Sequence, residues 1–235
     1  MVKILVLDIE TAPHKVFTWG LYDVNISPDQ IIEPGNILCV CAHWVGSNEY
    51  QFFSRWDDGE EKMLNNIHEL LSEADAVVGY NHGKFDLPRL QGEFVLAGLK
   101  PPPPQTQIDL LKIVKGLGYA MNKLQFIAPL LGVGKKMKHE GFSLWRSVLD
   151  GDSKAQDRMK KYCIQDVKIT AKLYNRLKPF IKDHPHLGDN KGECGNCGSN
   201  HLHHRGYRRT KMYKTERLQC QKCGSWSSGK RTKVN

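Results

Sequence analysis

Two hydrophobic periods alternate along the first 180 residues, and the switches between them mark out the elements. VKILVLDI at residues 2–9 is an apolar, branched run that predicts a strand. NILCVCAHWV and EYQFFS, rich in branched and aromatic residues and separated by the turn GSN, predict two more. The period then changes: EEKMLNNIHELLSEA places Met63, Leu64, Ile67, Leu70 and Leu71 at helical spacing. A short apolar strand, AVVGYN, follows. DLPRLQGEFVLAGL reads as a helix, with Pro88 in the first turn where a missing N–H costs nothing, and it ends at Gly98. PPPP at 101–104 is a stiff connector, and TQIDLLKIV begins as a strand and turns helical. Short helices and loops are expected from Met121 to Gly151. Beyond them SKAQDRMKKYCIQDVKITAKLYNRL predicts a long helix capped by Ser153, with Met159, Tyr162, Cys163, Asp166, Ile169 and Leu173 along one side.

Charge divides the chain. Residues 182–235 hold 12 Lys+Arg against 4 Asp+Glu, leaving 22 against 21 for residues 1–181. The basic character belongs to the tail and suggests a polyanion partner, most often nucleic acid. No run is apolar enough for a membrane span and no signal-peptide core is present, so a cytoplasmic protein is expected. Of seven cysteines, Cys39, Cys41 and Cys163 lie in apolar surroundings, while Cys194, Cys197, Cys220 and Cys223 form two C-x-x-C pairs. In a reducing compartment such pairs point to metal rather than disulfide.

The first strand ends in VLDIET. Side chains alternate along a strand, so Asp8 and Glu10 project together while Ile9 points to the opposite side. Adjacent carboxylates repel, which leaves exposure, a raised pKa or a bound cation as resolutions. A second acid, Asp86, sits in NHGKFDLP where the AVVGYN strand gives way to a helix; alone, it reads as a cap. Tyr162 and Asp166 in YCIQD share one face of the long helix. That face is otherwise apolar and would bury Asp166 unpaired unless a cation met it.

Together these three elements resemble the exonuclease motifs of the DEDD superfamily: Asp8 and Glu10 in LDIET, Asn81 to Asp86 in N-x-x-x-F-D, and Tyr162 to Asp166 in Y-x-x-x-D. The tyrosine is similar to that of the DEDDy branch, which includes the proofreading domains of family B DNA polymerases. The resemblance spans about residues 1–180. It implies an α/β, ribonuclease-H-like mixed β-sheet flanked by helices, and a stand-alone, phage-type 3′-5′ exonuclease that uses two Mg²⁺ or Mn²⁺ ions. By that pattern Asp8 bridges both ions, Glu10 and Asp166 complete one, and Asp86 holds the other through water. Tyr162 orients the attacking water, being a poor base at an ordinary pKa near 10. Asn81 fixes its loop or touches substrate, Thr11 and Ala12 line the terminal nucleotide, Phe85 packs in the core, and Asp109 supports the site. The hard-oxygen ligand set agrees independently with Mg²⁺ or Mn²⁺. GVGKKMKHEG at 132–141 lacks the phosphate-loop spacing and reads as a solvated basic loop.

The tail repeats C-x-x-C-G, at Cys194–Cys197 and Cys220–Cys223, around two strand-like pieces, HLHHRGYRR and YKTERLQC. The arrangement resembles a zinc ribbon holding one structural Zn²⁺; so few large apolar side chains need the metal for folding. His201, His203 and His204 are expected exposed or on phosphate. Arg205, Arg208, Arg209, Lys211, Lys214 and Arg217 interleave with Tyr207, Tyr213 and Trp226, a composition suited to phosphate neutralisation and base stacking.

These readings divide the chain into a nuclease domain at 1–182, a linker at 183–192 and a ribbon with basic tail at 193–235. The favoured substrate is DNA, single-stranded or fraying at its 3′ end. RNA competes, since nothing visibly reads the 2′-OH. A non-catalytic nucleic-acid-binding adaptor is the rival from another class. Replication or recombination proteins are candidate partners.

Overall fold

The computed structural model describes residues 2–138, 140–188 and 190–234. Its centre is a five-stranded sheet. The first strand, β1 (Ile4–Thr11), is followed by a small excursion, β2 (Lys15–Val16) and β3 (Ile31–Glu33), which pair with each other outside that sheet. β4 (Ile37–Trp44) and β5 (Gln51–Ser54) return to it, then β6 (Ala76–Gly79) and β7 (Thr106–Asp109) complete the order β5-β4-β1-β6-β7. β1 runs antiparallel to β4 and parallel to β6, so the sheet is mixed and β1 is central. All these main-sheet strands coincide with runs read from the sequence. The β2–β3 hairpin does not, because its pairing is two residues long and its segment exposes Phe17, Trp19, Leu21 and Tyr22 instead of burying an alternating face.

Side-chain alternation on β1 sends its residues to two cores. Leu5, Leu7 and Ile9 meet α1 (Glu60–Glu73) and α2 (Asp86–Leu96) through Met63, Leu64, Ile67, Leu90 and Phe94. Ile4 and Val6 meet the opposite layer, built from α3 (Leu110–Lys115), α4 (Leu124–Leu130), α5 (Phe142–Leu149) and α6 (Ser153–Leu177). Asp8 follows Ile4 and Val6 in the alternation and therefore faces α6. The buried α6 stripe includes Met159, Tyr162, Cys163, Asp166, Val167 and Leu173. Its cap is Asp152 rather than Ser153: Asp152 has an extended backbone, and its carboxylate accepts the N–H of Lys154, a role that Ser153 inside the first turn cannot fill.

The tail forms a separate three-stranded antiparallel sheet, β8 (Leu202–Arg209), β9 (Tyr213–Cys220) and β10 (Trp226–Lys233), in the order β10-β9-β8. β10 is an addition to the two strands expected; SSGKRTK carries almost no apolar signal, and only pairing with β9 extends it. This module seats against the end of α6: the Asn196 amide donates to the carbonyl of Lys178 at 2.8 Å, and Leu187 packs on the main core. Asp189, inside the expected linker, lies outside the described residues.

Candidate functional site

β1 brings Asp8 and Glu10 to its C-terminal end, and α6 crosses beneath. Cys163 fixes the crossing, its thiol lying 3.7 Å from the Asp8 carbonyl oxygen. This sets Asp166, one helical turn after Tyr162, beside the strand carboxylates. One oxygen each from Asp8, Glu10 and Asp166 lies within 4.8 Å of the others. Asp86, the first residue of α2, is turned toward β1: its Oδ1 accepts the N–H of Ile9 at 3.1 Å. It stands outside the close triad but raises the pKa of Asp8 electrostatically.

Burial is the largest influence on all three of Asp8, Glu10 and Asp86. It pushes Asp8 well above the usual carboxylate range, reinforced by Asp86, Glu10 and Asp166. Glu10 is pushed up to about 8 by burial and then by Asp166, and Asp86 to about 6 by burial, against the hydrogen bond from Ile9. Tyr162 is raised to about 12, by burial and then Asp166, so its hydroxyl stays protonated at neutral pH. Three close carboxylates and no nitrogen or sulfur donor among them suit a hard divalent cation.

The supporting loop is built for close approach. The Gly79 Cα at the end of β6 abuts His82, where an added Cβ would come within 2.6 Å of the histidine side chain. Asn81 then takes a left-handed backbone (φ 68°), and its N–H donates to Asp109 Oδ1 at 2.9 Å. The same oxygen accepts the N–H of Leu111 and caps α3, so Asp109 ties the Asn81 loop to the start of that helix. Phe85 departs from expectation. The turn that buries Asp86 rotates Phe85 outward to 39% exposure, with the Arg89 guanidinium over its ring at 4.7 Å. It lines a hollow of about 310 Å³ together with Thr11, Ala12, Pro13, His14, Arg89, Phe142 and Trp145. Trp145 meets Tyr162 edge to face at 6.1 Å, which joins this hollow to the carboxylates.

Lys136 is the principal site residue not singled out from the sequence. Its ammonium lies 2.6 Å from Asp166 Oδ2 and 5.2 Å from the Tyr162 ring centre. Burial is the largest influence on Lys136 and acts to lower its pKa, but the charge and hydrogen bond of Asp166, together with those of Tyr162, raise it overall. A lysine in a basic loop carries no local pattern that distinguishes it from its neighbours Lys135 and Lys138.

At the second cluster, Cys194 and Cys223 sulfurs are 3.6 Å apart and those of Cys197 and Cys220 3.7 Å apart. Tetrahedral zinc with bonds near 2.3 Å would separate its sulfurs by about 3.8 Å, so the four thiols fit that ion. The Ser225 hydroxyl approaches Cys194 and Cys223 at 3.2 and 3.1 Å. Burial alone would raise Cys194, but hydrogen bonds from Ser225, the Asn196 and Cys197 backbone and Cys223 bring it down to about 6. Arg205, Tyr207, Arg208, Arg209, Lys211 and Trp226 are all exposed on this module, as are His201, His203 and His204, while Lys214 is partly buried over the Tyr207 ring.

A family model described as the RNase_H superfamily matches residues 5–178. The chain belongs to the RNase H superfamily. Apart from Ile4 at the start of β1, the sheet and the three elements that carry Asp8, Glu10, Asp86 and Asp166 lie inside the matched RNase H segment, whereas the cysteine module lies beyond it. Among solved structures, the family B DNA polymerase from the hyperthermophilic archaeon Pyrobaculum calidifontis is similar, with a TM-score of 0.58 and 18% identity. The match covers 77% of this chain and 25% of the polymerase, so the likeness shows a shared fold over about a quarter of that protein's length. No curated protein matches the sequence. No helix among the described residues is long and apolar enough to cross a membrane.

Proposed function

We propose that the protein is a metal-dependent 3′-5′ exonuclease of the DEDDy type that hydrolyses the phosphodiester bonds of DNA from a single-stranded or fraying 3′ end. The observation that carries this reading is the meeting of Asp8, Glu10 and Asp166 within 4.8 Å, with Asp86 near enough to raise Asp8 and Glu10 electrostatically and Tyr162 alongside. Membership of the RNase H superfamily supports a nuclease-type hydrolase. The domain reading keeps residues 1–182 as the nuclease, 183–192 as the connection and 193–235 as a zinc ribbon that grips nucleic acid.

Asp8 would be shared between two divalent cations, with Glu10 and Asp166 completing one site and Asp86 serving the other through water. Bound there, Mg²⁺ or Mn²⁺ would supply Lewis acidity at the phosphoryl oxygens and at the leaving group. The protonated Tyr162 hydroxyl orients the attacking water and does not take its proton. Lys136 adds fixed positive charge where negative charge gathers on the phosphorus oxygens. Water attacks phosphorus in line, the P–O3′ bond breaks, and the products are a 5′-nucleotide and a chain ending in a new 3′-hydroxyl.

The test is a time course on 3′- and 5′-labelled single-stranded DNA and matched RNA with Mg²⁺ or Mn²⁺, comparing wild type with Asp8→Ala. The expected result is stepwise shortening from the 3′ end, faster on DNA and absent in the variant. Faster shortening of RNA would make the protein an exoribonuclease. Binding without cleavage of either polymer would leave the adaptor reading in its place.

A further inference from the structure

The basic and aromatic residues of the tail lie on both faces of the β8–β10 sheet, and the strand register sorts them. Residues directly paired across strands share a face. Trp226 pairs with Gln219, Ser228 with Arg217, and Lys233 with Tyr213, while Thr215 lies between Arg231 on one side and Arg208 on the other. One face therefore carries Arg208, Tyr213, Arg217, Trp226, Arg231 and Lys233. The opposite face carries Tyr207, paired with Glu216, and Arg209, paired with Lys214. The sequence alone mixes these two sets, because Arg208 and Arg209 are adjacent in the chain and opposite in the sheet.

The first face has the properties of a track. Its four cations and Trp226 are exposed, and among the described residues none of the four cations has a carboxylate partner. The Arg231 guanidinium lies 3.7 Å from the Tyr213 ring centre and Arg217 5.9 Å from that of Trp226, so each aromatic has a positive charge beside it. Successive same-face positions on one strand are about 6.8 Å apart, which staggers charge and ring along β9 and β10. The other face is less suited: Glu216, paired with Tyr207, sets a carboxylate among its cations.

We propose that this one face, with Arg208, Arg217 and Arg231 on the phosphates and the exposed Trp226 stacked on a base, is a binding surface for single-stranded nucleic acid. Unpaired bases expose their faces to aromatic side chains, whereas a duplex keeps them stacked inside, so the indole selects single strands as the arginines neutralise the backbone. The proposal rests on the reading of the chain as a nucleic-acid enzyme and adds to it which side of the appended module the strand follows.

The experiment uses the full-length, zinc-loaded chain carrying Asp8→Ala to prevent cleavage. Anisotropy of a fluorescein-labelled single-stranded oligonucleotide is followed over a salt series for three proteins: this parent, Arg217→Ala/Trp226→Ala/Arg231→Ala, and Arg209→Ala/Lys214→Ala. Zinc content and circular dichroism check that all three are folded. The expected result is about tenfold or greater weakening for the triple variant. Its slope of log K against log salt should flatten by about 1.4, for two phosphate contacts removed. The double variant should change less than about threefold. Equal losses from both variants, a larger loss from the double variant, or an unchanged triple variant would overturn the face assignment and leave the nuclease reading standing. A parent that binds no oligonucleotide, from a wild type that cleaves none, would remove both.

Discussion

The Lys136 ammonium lies 2.6 Å from Asp166, on the carboxylate cluster that a divalent cation would neutralise. A lysine and a cation would therefore share the task of balancing Asp8, Glu10 and Asp166. Replacing Lys136 with Met should destabilise the zinc-loaded protein in Mg²⁺-free buffer without chelator by about 1.5–3 kcal/mol, the usual worth of a hydrogen bond to a charged group. Millimolar Mg²⁺ should recover much of that loss. Thermal melts with and without metal check it; an equal loss in both conditions would show that the lysine acts by packing alone.

The raised carboxylate pKa values set a pH dependence for the metal-free chain. Glu10 titrates near 8 and Asp86 near 6 when folded, above their ordinary values of 4.5 and 3.8, so the folded chain holds protons that the unfolded chain releases. The stability this contributes is complete below their ordinary values and is lost as pH rises through 6 and then 8. Bound Mg²⁺ would favour the ionised forms and reverse the trend. The increase in Tm on adding Mg²⁺ should therefore grow between pH 5 and pH 8. A metal effect of constant size across that range would contradict the coupling.

Tyr162→Phe should lower kcat on single-stranded DNA by about a hundredfold with little change in KM, since the hydroxyl would orient the nucleophile rather than bind the strand. The hydroxyl titrates near 12, well above neutral pH. The residual rate should therefore keep the wild-type pH profile between pH 6 and 9. Disappearance of a rate limb in the variant would instead make the tyrosine the base.

The cysteine module should release zinc on acidification. Thiolates must be free of protons to hold the ion, so acid competes with zinc at all four cysteines. Zinc should stay bound at pH 7.5 and be released to a colorimetric chelator as the pH is lowered stepwise. Cys194→Ser/Cys197→Ser should lose the ion at all pH values and, because Asn196 holds the Lys178 carbonyl, also lower the melting temperature. Full zinc content in that double variant would rule out the four-cysteine site.

Much of this is legible in the sequence alone. Strand β1 and helices α1 and α6 follow from periodicity, because each buries one face and that requirement writes itself into local spacing. The pairs Asp8/Glu10 and Tyr162/Asp166 were also readable, since a strand or helix puts its own near neighbours on one side. The cysteine knuckles show in the same local way. Phe85 and the α6 cap differ from expectation by a single turn, where the loop's backbone, and not the residue type, sets direction.

What the sequence by itself determined is which side chains each element presents together. Which elements then face one another was decided only by tertiary structure. β1 and α6 meet because both bury apolar stripes on one side of the sheet, and Asp166 arrives beside Asp8 as a consequence of that packing. Lys136 joins them from a loop with no periodicity to read, held by charge across space. Arg208 and Arg209 part company for a related reason: neighbours in a chain take opposite faces of a strand, and only the pairing of three strands tells which cations gather on the same side.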